Sequence, residues 1–255
     1  MLHVASPADR RDLLGRSGAL SVRLADGARD VARAQRLRAR VFGRASDADE
    51  FDAACDHVLV ETGTGTGTGT GEVVATYRLL PQGAGHRSYA AGEFEVDALY
   101  AAHPGLRFLE LGRSCVAAEW RTGRVMELLW HGTWAYVVRG RFDVMLGCAS
   151  LPGTRPDRAL LAFLRESARA PRGWRVRARA GRGRAMRGEA AAPRAAWRAL
   201  PPLVRGYLRL GAHVGEEAVI DRDFGTTDVL VLLRRELIAR RYLDHFGEAA
   251  TRYAA

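Results

Sequence analysis

The pattern that most limits the possible folds is an irregular alternation of short apolar strands with helices. Residues 20–25 (LSVRLA) alternate as a strand, and residues 29–42 then repeat apolar positions at helical spacing. The change of period recurs between residues 107–116 (RFLELGRSCV), an extended apolar run, and residues 124–138, an almost wholly apolar helix. Strands and helices mixed in this order predict a single α/β domain around one mixed sheet.

Further segments extend this prediction along the chain. Strands are also expected at residues 57–61, 72–80, 142–149, 213–220 and 227–233, and helices at residues 157–170, 201–210 and 235–246. The tract TGTGTGTGTG at residues 62–71 is interpreted as an expanded hairpin loop without chemistry of its own. Residues 172–198 are rich in Arg, Ala and Gly, and no element is predicted there. We expect an N-terminal extension over residues 1–19 and the domain over residues 20–255.

Charge and cysteine content restrict the partners and the compartment. The net charge is +10, and every Lys/Arg position is arginine, so the surface attracts polyanions: nucleic acid, anionic lipid headgroups or acidic carrier proteins. The three cysteines lack metal-ligand spacing, so a reducing, cytosolic setting and no metal site are expected. We predict no membrane-spanning segment and no secretory signal.

The strand at residues 107–116 contains two charges, Glu110 and Arg113, within an apolar run. Buried charges are costly unless they are paired or face a cleft, so one interpretation is a structural ion pair with Arg78. A regular strand would point positions 110 and 113 to opposite faces. A distortion near Gly112 would bring them to one side, and glycine within a strand is typical of a bulge. Such a bulged strand next to a helix start is a candidate site.

Two neighbouring features have both ordinary and functional interpretations. Arg121, Thr122 and Gly123 precede a buried helix, where free N–H groups favour phosphate, although Thr122 is also an ordinary N-cap residue. Carboxylates crowd into a short segment before a strand at Asp47, Asp49, Glu50, Asp52 and Asp56. This segment is either a solvated face or a cation-binding site, and we interpret the following His57 as structural.

Several chemistries lack their motifs. GxxxxGK[ST], HExxH, GxSxG and CxxC do not occur in the sequence, so P-loop, zincin, serine-hydrolase and zinc-ribbon functions are not supported. The arginines of residues 172–187 have Trp174 as their only aromatic neighbour, and nucleic-acid-binding signatures are missing. Nucleic acid is therefore not an expected partner.

The ordered motifs resemble the ornithine N-alpha-acyltransferases, a hemolysin-like family of the GNAT superfamily that is related to the acyl-homoserine-lactone synthases. The motifs, in order, are RxxVF (residues 38–42), FDxxCDHxLV (51–60), VxxTYRLLP (73–81), LELGRSCV (109–116), LLWxG (128–132), GCASLPG (147–153), LPPLxxGYLRLGAxVG (200–215) and ID..F.T.DV (220–229). The resemblance covers residues 20–233, and it implies a GNAT-like mixed central sheet flanked by helices.

The resemblance also implies a reaction. A 3-hydroxyacyl chain would move from acyl carrier protein to the α-amino group of ornithine, giving lyso-ornithine lipid. The acyl-pantetheine arm would lie in a splay beside strand 107–116. No bound cofactor is expected, because phosphopantetheine arrives on the carrier protein. The helix at residues 157–170 has no tyrosine, so the thiolate-protonating tyrosine of many GNAT enzymes is missing there.

Roles for individual residues follow from this reaction. Glu110 is the predicted general base for the acceptor amine. Backbone N–H groups of Cys115 and Val116 would hold the thioester oxygen, and Arg121 and Gly123 would meet the pantetheine phosphate. An acyl-Cys115 intermediate is not expected, because the amine can attack the thioester directly.

The acceptor would be held through its charges. Asp52 and Asp56 are predicted to bind the ornithine ammonium, and Arg78 or Arg113 its carboxylate by bidentate pairing. The remaining arginines suit the acidic carrier protein, and also peripheral contact with anionic membrane at the inner face of the cytoplasmic membrane.

Other functions remain open at this stage. One is a quorum-signal synthase with S-adenosylmethionine as acceptor, although GCASLPG and the block at residues 200–215 favour the ornithine branch. Lysine, glutamine or glycine could replace ornithine as the acceptor. A non-catalytic arginine-rich module that binds lipid or nucleic acid would leave Glu110 and the acidic segment unexplained.

Overall fold

The protein is described here from a computed structural model, which covers residues 13–63, 71–82 and 87–239. Within these residues the strands are β1 (Leu13–Ser17), β2 (Leu20–Leu24), β3 (Asp56–Thr62), β4 (Val73–Pro81), β5 (Phe108–Val116), β6 (Val144–Pro152), β7 (Gly183–Ala185), β8 (His213–Asp221) and β9 (Thr226–Arg234). The α-helices are α1 (Gly27–Phe42), α2 (Val96–Ala102), α3 (Gly123–Arg139), α4 (Arg158–Ala168), α5 (Pro193–Ala199) and α6 (Pro202–Arg209).

The strands form one mixed sheet with the order β1-β2-β3-β4-β5-β6-β9-β8-β7. The pair β5–β6 is parallel, whereas β2–β3, β3–β4, β6–β9 and β8–β9 are antiparallel. The predicted mixed α/β fold is therefore confirmed. The residues of this domain cluster into two compact units, and β5 passes from one to the other after Glu110.

The first unit contains β1 to β4, the end of β5, α1 and α3. Its helix α1 buries an apolar stripe that begins with Ala34 and Leu37, because apolar positions three residues apart share one helix face. Helix α3 packs against the first three strands, and Gly132 makes this approach possible. A Cβ atom at that position would lie 2.4 Å from Val22 Cγ2 and 3.2 Å from Val58 Cγ1. None of the described helices, α3 included, is both long and apolar enough to cross a membrane.

The second unit contains the start of β5, the antiparallel ladder β6–β9–β8–β7 and the remaining helices. Alternate residues of the strands face one apolar cluster, which includes Leu146 on β6 and Leu230 on β9. Phe94 is fully buried in this cluster, in the segment between β4 and α2. That segment contains a 3-10 turn at Ala90–Gly92, which the sequence did not predict.

Most of the predicted elements are present, and the differences lie in short segments. Strand β1 falls within the expected extension of residues 1–19, and β7 and α5 fall within residues 172–198. The helix predicted from Arg235 is wrong at its start. Residues Arg235–Leu237 form a 3-10 turn, and Ile238 is extended and buried, so the apolar spacing there anchors the chain instead of continuing a helix. Residues 240–246 of that prediction lie outside the described residues, as do residues 64–70 of the predicted loop.

Candidate active site

Strand β5 contains the predicted backbone distortion, one residue later than expected. Arg113 has a positive φ of 54°, which is uncommon for a residue with a side chain. Its Nε lies 3.3 Å from Asp47 Oδ1, and its Nη2 lies 3.4 Å from Asp49 Oδ2. The paired residues of β5 and β6 run from Phe108 to Glu110 on β5, just before this distortion. The distortion therefore turns Arg113 toward the acidic segment.

Glu110 has its own set of hydrogen-bond donors. The residue is 4% exposed, and its Oε2 accepts a 2.7 Å hydrogen bond from Ser88 Oγ. Its Oε1 accepts a 2.7 Å bond from the backbone N–H of Ala90, and Gln82 Nε2 lies 3.4 Å from Oε2. Tyr100 in turn donates its hydroxyl to Ser88 Oγ. These donors fix the position of the carboxyl group, because each of its two oxygens accepts a short hydrogen bond.

The end of β5 is apolar and closed. Cys115 and Val116 are both buried, and the Val116 carbonyl accepts a 3.3 Å hydrogen bond from Arg121 Nε. Burial raises the pKa of the Cys115 thiol to about 12. The thiol is therefore protonated at neutral pH, and a protonated thiol is a poor nucleophile.

The start of α3 is an ordinary capped helix end. Thr122 Oγ1 accepts a hydrogen bond of 3.4 Å from the Val125 N–H, so the predicted N-cap is confirmed. Arg121 and Gly123 are exposed, and a Cβ atom on Gly123 would meet nothing within 4 Å. The positive end of the helix dipole therefore faces open space beside an exposed guanidinium, which is a suitable place for a phosphate.

The acidic segment binds the protein's own arginines. Arg38 is 0% exposed, with its Nη1 2.7 Å from Asp52 Oδ1 and its Nε 2.8 Å from Asp47 Oδ1. Arg78 Nη1 lies 2.6 Å from Asp49 Oδ1 and 3.2 Å from Asp52 Oδ1. Burial would raise the pKa of the Asp52 carboxyl, but hydrogen bonds from Arg38 and Gln35 outweigh burial and hold that pKa well below its usual range. The segment does bind cations, and they are guanidinium groups of this chain.

The other residues of that segment lie in different surroundings. Asp56 is exposed, and it accepts a 2.5 Å hydrogen bond from the Tyr136 hydroxyl. His57 is buried with its Nε2 3.2 Å from the Asp52 carbonyl oxygen, and burial lowers its pKa. Asp52 thus faces the protein interior and Asp56 the solvent. The predicted ion pair between Arg78 and Glu110 stays a prediction.

A further acidic cluster was missed from the sequence. It consists of Glu93, Cys148 and Asp228. Each contributes one possible metal-ligand atom, and these three atoms lie within 4.8 Å of one another. In the part of the chain that the structure describes, this group is close enough to share a cation. Burial and the charge of Asp228 raise the pKa of Glu93 to about 7. Burial and the charge of Glu93 also raise the pKa of the Cys148 thiol. No motif spacing points to this group, because the three residues come from three distant segments.

Comparison with known proteins identifies relatives of this chain. Residues 33–131 match the Acetyltransferase (GNAT) domain family. The L-ornithine N(alpha)-acyltransferase of Rhizobium meliloti (strain 1021) is 44% identical, over 99% of this chain and 92% of its own length. The protein of the same name from Agrobacterium fabrum is 44% identical, over 96% of this chain and 90% of its own length. Among solved structures, FeeM, an N-acyl amino acid synthase from uncultured soil microbes, shares the fold, with a TM-score of 0.52 at 10% identity over 84% of this chain and 90% of that chain.

Proposed function

The chain belongs to the family of the L-ornithine N(alpha)-acyltransferases and is an acyltransferase of the GNAT fold, and we propose that it acylates the α-amino group of ornithine. Identity of 44% over nearly the whole chain supports this acceptor. The proposed donor is a 3-hydroxyacyl chain on acyl carrier protein, and the proposed product is lyso-ornithine lipid. The phosphopantetheine arm belongs to the donor, so the proposed reaction needs no bound cofactor.

The observation that carries the proposal is the buried, hydrogen-bonded carboxylate of Glu110. An ammonium has no lone pair, so the acceptor amine must lose a proton before it attacks the thioester. Glu110 would accept this proton directly or through one water molecule, a step that typically contributes about 10²–10⁴-fold. Ser88 and Ala90 hold the carboxylate in place through its two oxygens. A fixed base is effective because no reorganisation is needed during the proton transfer.

The remaining steps follow the strand. The nitrogen forms a bond to the thioester carbon, and the backbone N–H groups of Cys115 and Val116, on the same strand as Glu110, would stabilise the oxyanion. Collapse of the intermediate breaks the C–S bond, and the extra proton on the attacking nitrogen passes to the departing pantetheine thiolate, which leaves an amide and a thiol. The raised pKa of Cys115 supports direct attack by the amine, because a neutral thiol does not compete as the nucleophile.

The donor and the acceptor carboxylate have candidate contacts in the first unit. The phosphate of the pantetheine arm would bind at the open start of α3, beside Arg121 and Gly123. For the carboxylate, Arg113 is the better candidate, because 14% of its side chain is exposed, compared with 3% for Arg78. Arg78 would act as a positioning residue, because it is bound to Asp49 and Asp52.

The central experiment compares the wild type with Glu110→Gln. We expect the variant to keep the fold and to lose about 10²–10⁴-fold of the acyl transfer from 3-hydroxyacyl carrier protein to ornithine, measured by product mass. Glu127→Gln, which changes an exposed glutamate on α3, is the matched control and should transfer normally. Transfer at the wild-type rate by Glu110→Gln would exclude Glu110 as the base. Parallel reactions with lysine, glutamine, glycine and S-adenosylmethionine test the choice of acceptor.

A further inference from the structure

The missed acidic cluster of Glu93, Cys148 and Asp228, called here the Glu93 cluster, shares a sheet face with Glu110. Residues that are paired across strands point to the same face, as do residues two apart along a strand. Glu110 pairs with Leu146, and Cys148 follows two positions later on β6. Asp228 on β9 pairs with Ser150, which lies two positions beyond Cys148. The side chains of Glu110, Cys148 and Asp228 therefore lie along one face.

A single segment links the cluster to Glu110. Ser88 and Ala90 donate the two short hydrogen bonds to Glu110, and Glu93 follows three residues after Ala90. The distance between Glu110 and Cys148 follows from strand geometry. A spacing of about 4.8 Å between strands and a rise of about 3.3 Å per residue put their Cα atoms about 8 Å apart. The base and the cluster are thus near enough for one small molecule to contact both.

Glu93 is the member of the cluster with a buried carboxyl oxygen that lacks a hydrogen-bond donor. Glu93 is 6% exposed, and its Oε2 is a buried atom without a hydrogen-bond partner. Arg182 Nη2 lies 4.0 Å from Glu93 Oε1, and the Arg182 side chain is 46% exposed. Asp221 adds further negative charge nearby. In contrast, Asp52 in the first unit accepts hydrogen bonds from two arginines. Burial and the charge of Asp228 raise the pKa of Glu93 to about 7, which shows that its ionised form is costly. A cation with N–H donors would stabilise that ionised form.

Cys148 is the partly exposed member of the cluster, whereas Glu93 and Asp228 are buried. Gly147 and Cys148 are both partly exposed, whereas Val144, Met145 and Leu146 before them are buried. The paired residues of β5 and β6 end at Glu110 and Leu146, so these two positions come directly after the last pair. A ligand in contact with Cys148 would lie on the same sheet face as the proposed base.

We propose that the Glu93 cluster binds the side-chain ammonium of the amino-acid acceptor while Glu110 receives the proton of its α-amine. The inference rests on the proposed function and assigns it an acceptor class, a linear diamino acid. The two nitrogens of extended ornithine are joined by five bonds of roughly 1.5 Å each, so they lie about 6 Å apart. That length suits a molecule that contacts both Glu110 and the Glu93 cluster, because the Cα atoms of Glu110 and Cys148 lie about 8 Å apart.

A metal ion is the competing occupant. A metal ion would bind Cys148 as the thiolate and would have to displace the thiol proton, which burial and the charge of Glu93 hold in place by raising the pKa. An ammonium needs only acceptors, and the free Oε2 of Glu93 is one. The ammonium is therefore the occupant that the chemistry of the cluster favours.

The test compares ornithine with norvaline, which has the same carbon chain without the terminal amine. We expect wild-type kcat/KM to favour ornithine, and Glu93→Gln to lower this preference about 10- to 100-fold, as loss of a charged hydrogen bond predicts. The rate with norvaline should be unchanged in the variant, because norvaline makes no contact with the cluster. Asp228→Asn is the second variant and should shift the ratio in the same direction. Glu127→Gln is again the control, with the wild-type ratio.

Each other outcome overturns the inference in a recognisable way. An unchanged ornithine-to-norvaline ratio in both folded variants excludes ammonium binding at the cluster. An equal loss with both acceptors indicates a structural role. Activity that is lost on chelation and restored by a divalent metal ion assigns the cluster to a metal. Wild-type protein that acylates neither acceptor overturns the proposed function, and the inference with it.

Discussion

Replacement of Asp52 by Asn distinguishes a structural carboxylate from one that binds the acceptor. Asp52 accepts hydrogen bonds from Arg38 at 2.7 and 2.8 Å, from Arg78 at 3.2 Å and from Gln35 at 2.9 Å. Asparagine keeps the size but removes the charge that faces these two buried arginines. Loss of one partner of a buried ion pair typically costs about 3–5 kcal/mol. In the variant, Arg38 still pairs with Asp47 and Arg78 with Asp49, so we expect the free energy of unfolding to fall by about 3 kcal/mol, the lower end of this range.

Urea unfolding at pH 7, followed by tryptophan fluorescence, measures this loss. With a slope of about 3 kcal/mol per molar urea, the midpoint of Asp52→Asn should fall by about 1 M. The control is Glu72→Gln, which removes an ion pair with Arg40 at 3.4 Å in which both side chains are more than half exposed. Such surface pairs contribute about 0–1 kcal/mol, so the control midpoint should barely move.

The pH dependence of the loss gives a second check. Hydrogen bonds from Arg38 and Gln35 hold the pKa of Asp52 below its unfolded value of about 4. The stabilisation is therefore complete above about pH 4 and is lost as the pH falls toward the folded pKa. The difference between wild type and Asp52→Asn should accordingly shrink below about pH 4. Equal midpoints at pH 7 would refute the reasoning, and an increased KM for ornithine with unchanged stability would assign Asp52 to the acceptor.

Three further predictions concern packing, the cysteine and the donor. Gly132→Ala should lower the free energy of unfolding by about 1–3 kcal/mol in urea titrations, because its methyl group overlaps Val22, and an unchanged midpoint would contradict that contact. Cys115→Ala should retain acyl transfer in the product-mass assay, whereas complete loss would indicate a covalent acyl-cysteine. With carrier-protein donor, kcat/KM should fall as salt rises from low to high concentration, because the charge of +10 attracts an acidic partner, and a salt-independent rate would exclude electrostatic docking.

The sheet could be predicted from the sequence because its strands and main helices have strong periodicity. The hydrophobic period changes from strand to helix after residues 20–25 and again after residues 107–116, and such a change marks the start of a new element. Each of these strands and helices therefore had a single interpretation. The short elements β1, α2 and β7 were not predicted. They contain three to seven residues, too few for a period to be visible, and tertiary contacts decide their conformation.

The site could be predicted only in part, because sequence patterns identify unusual residues without identifying their partners. The distortion of β5 was expected from an odd spacing and a nearby glycine, and Arg113 shows it. The prediction that the acidic segment binds the ornithine ammonium stays a prediction. In the structure the segment pairs with arginines of α1, β4 and β5, and no local pattern joins Arg38 to Asp52. The Glu93 cluster is the extreme case, since its members meet only through the sheet register and one connecting segment.

Within the described residues, the distribution of buried charge distinguishes the Glu93 cluster from the acidic segment. In a chain of net charge +10, arginine is abundant, and Asp47, Asp49 and Asp52 of the acidic segment each have a guanidinium nitrogen within 2.6 to 2.8 Å. Such pairs are already satisfied, and a substrate ammonium would have to displace a planar, bidentate partner. At the Glu93 cluster, Arg182 Nη2 lies 4.0 Å from Glu93 Oε1, which is too far for a hydrogen bond. In a chain so rich in arginine, a buried carboxyl group without a hydrogen-bonded guanidinium is unusual and suggests a binding role. Glu93 is such a group, and the other two members of its cluster lie on the same sheet face as the proposed base.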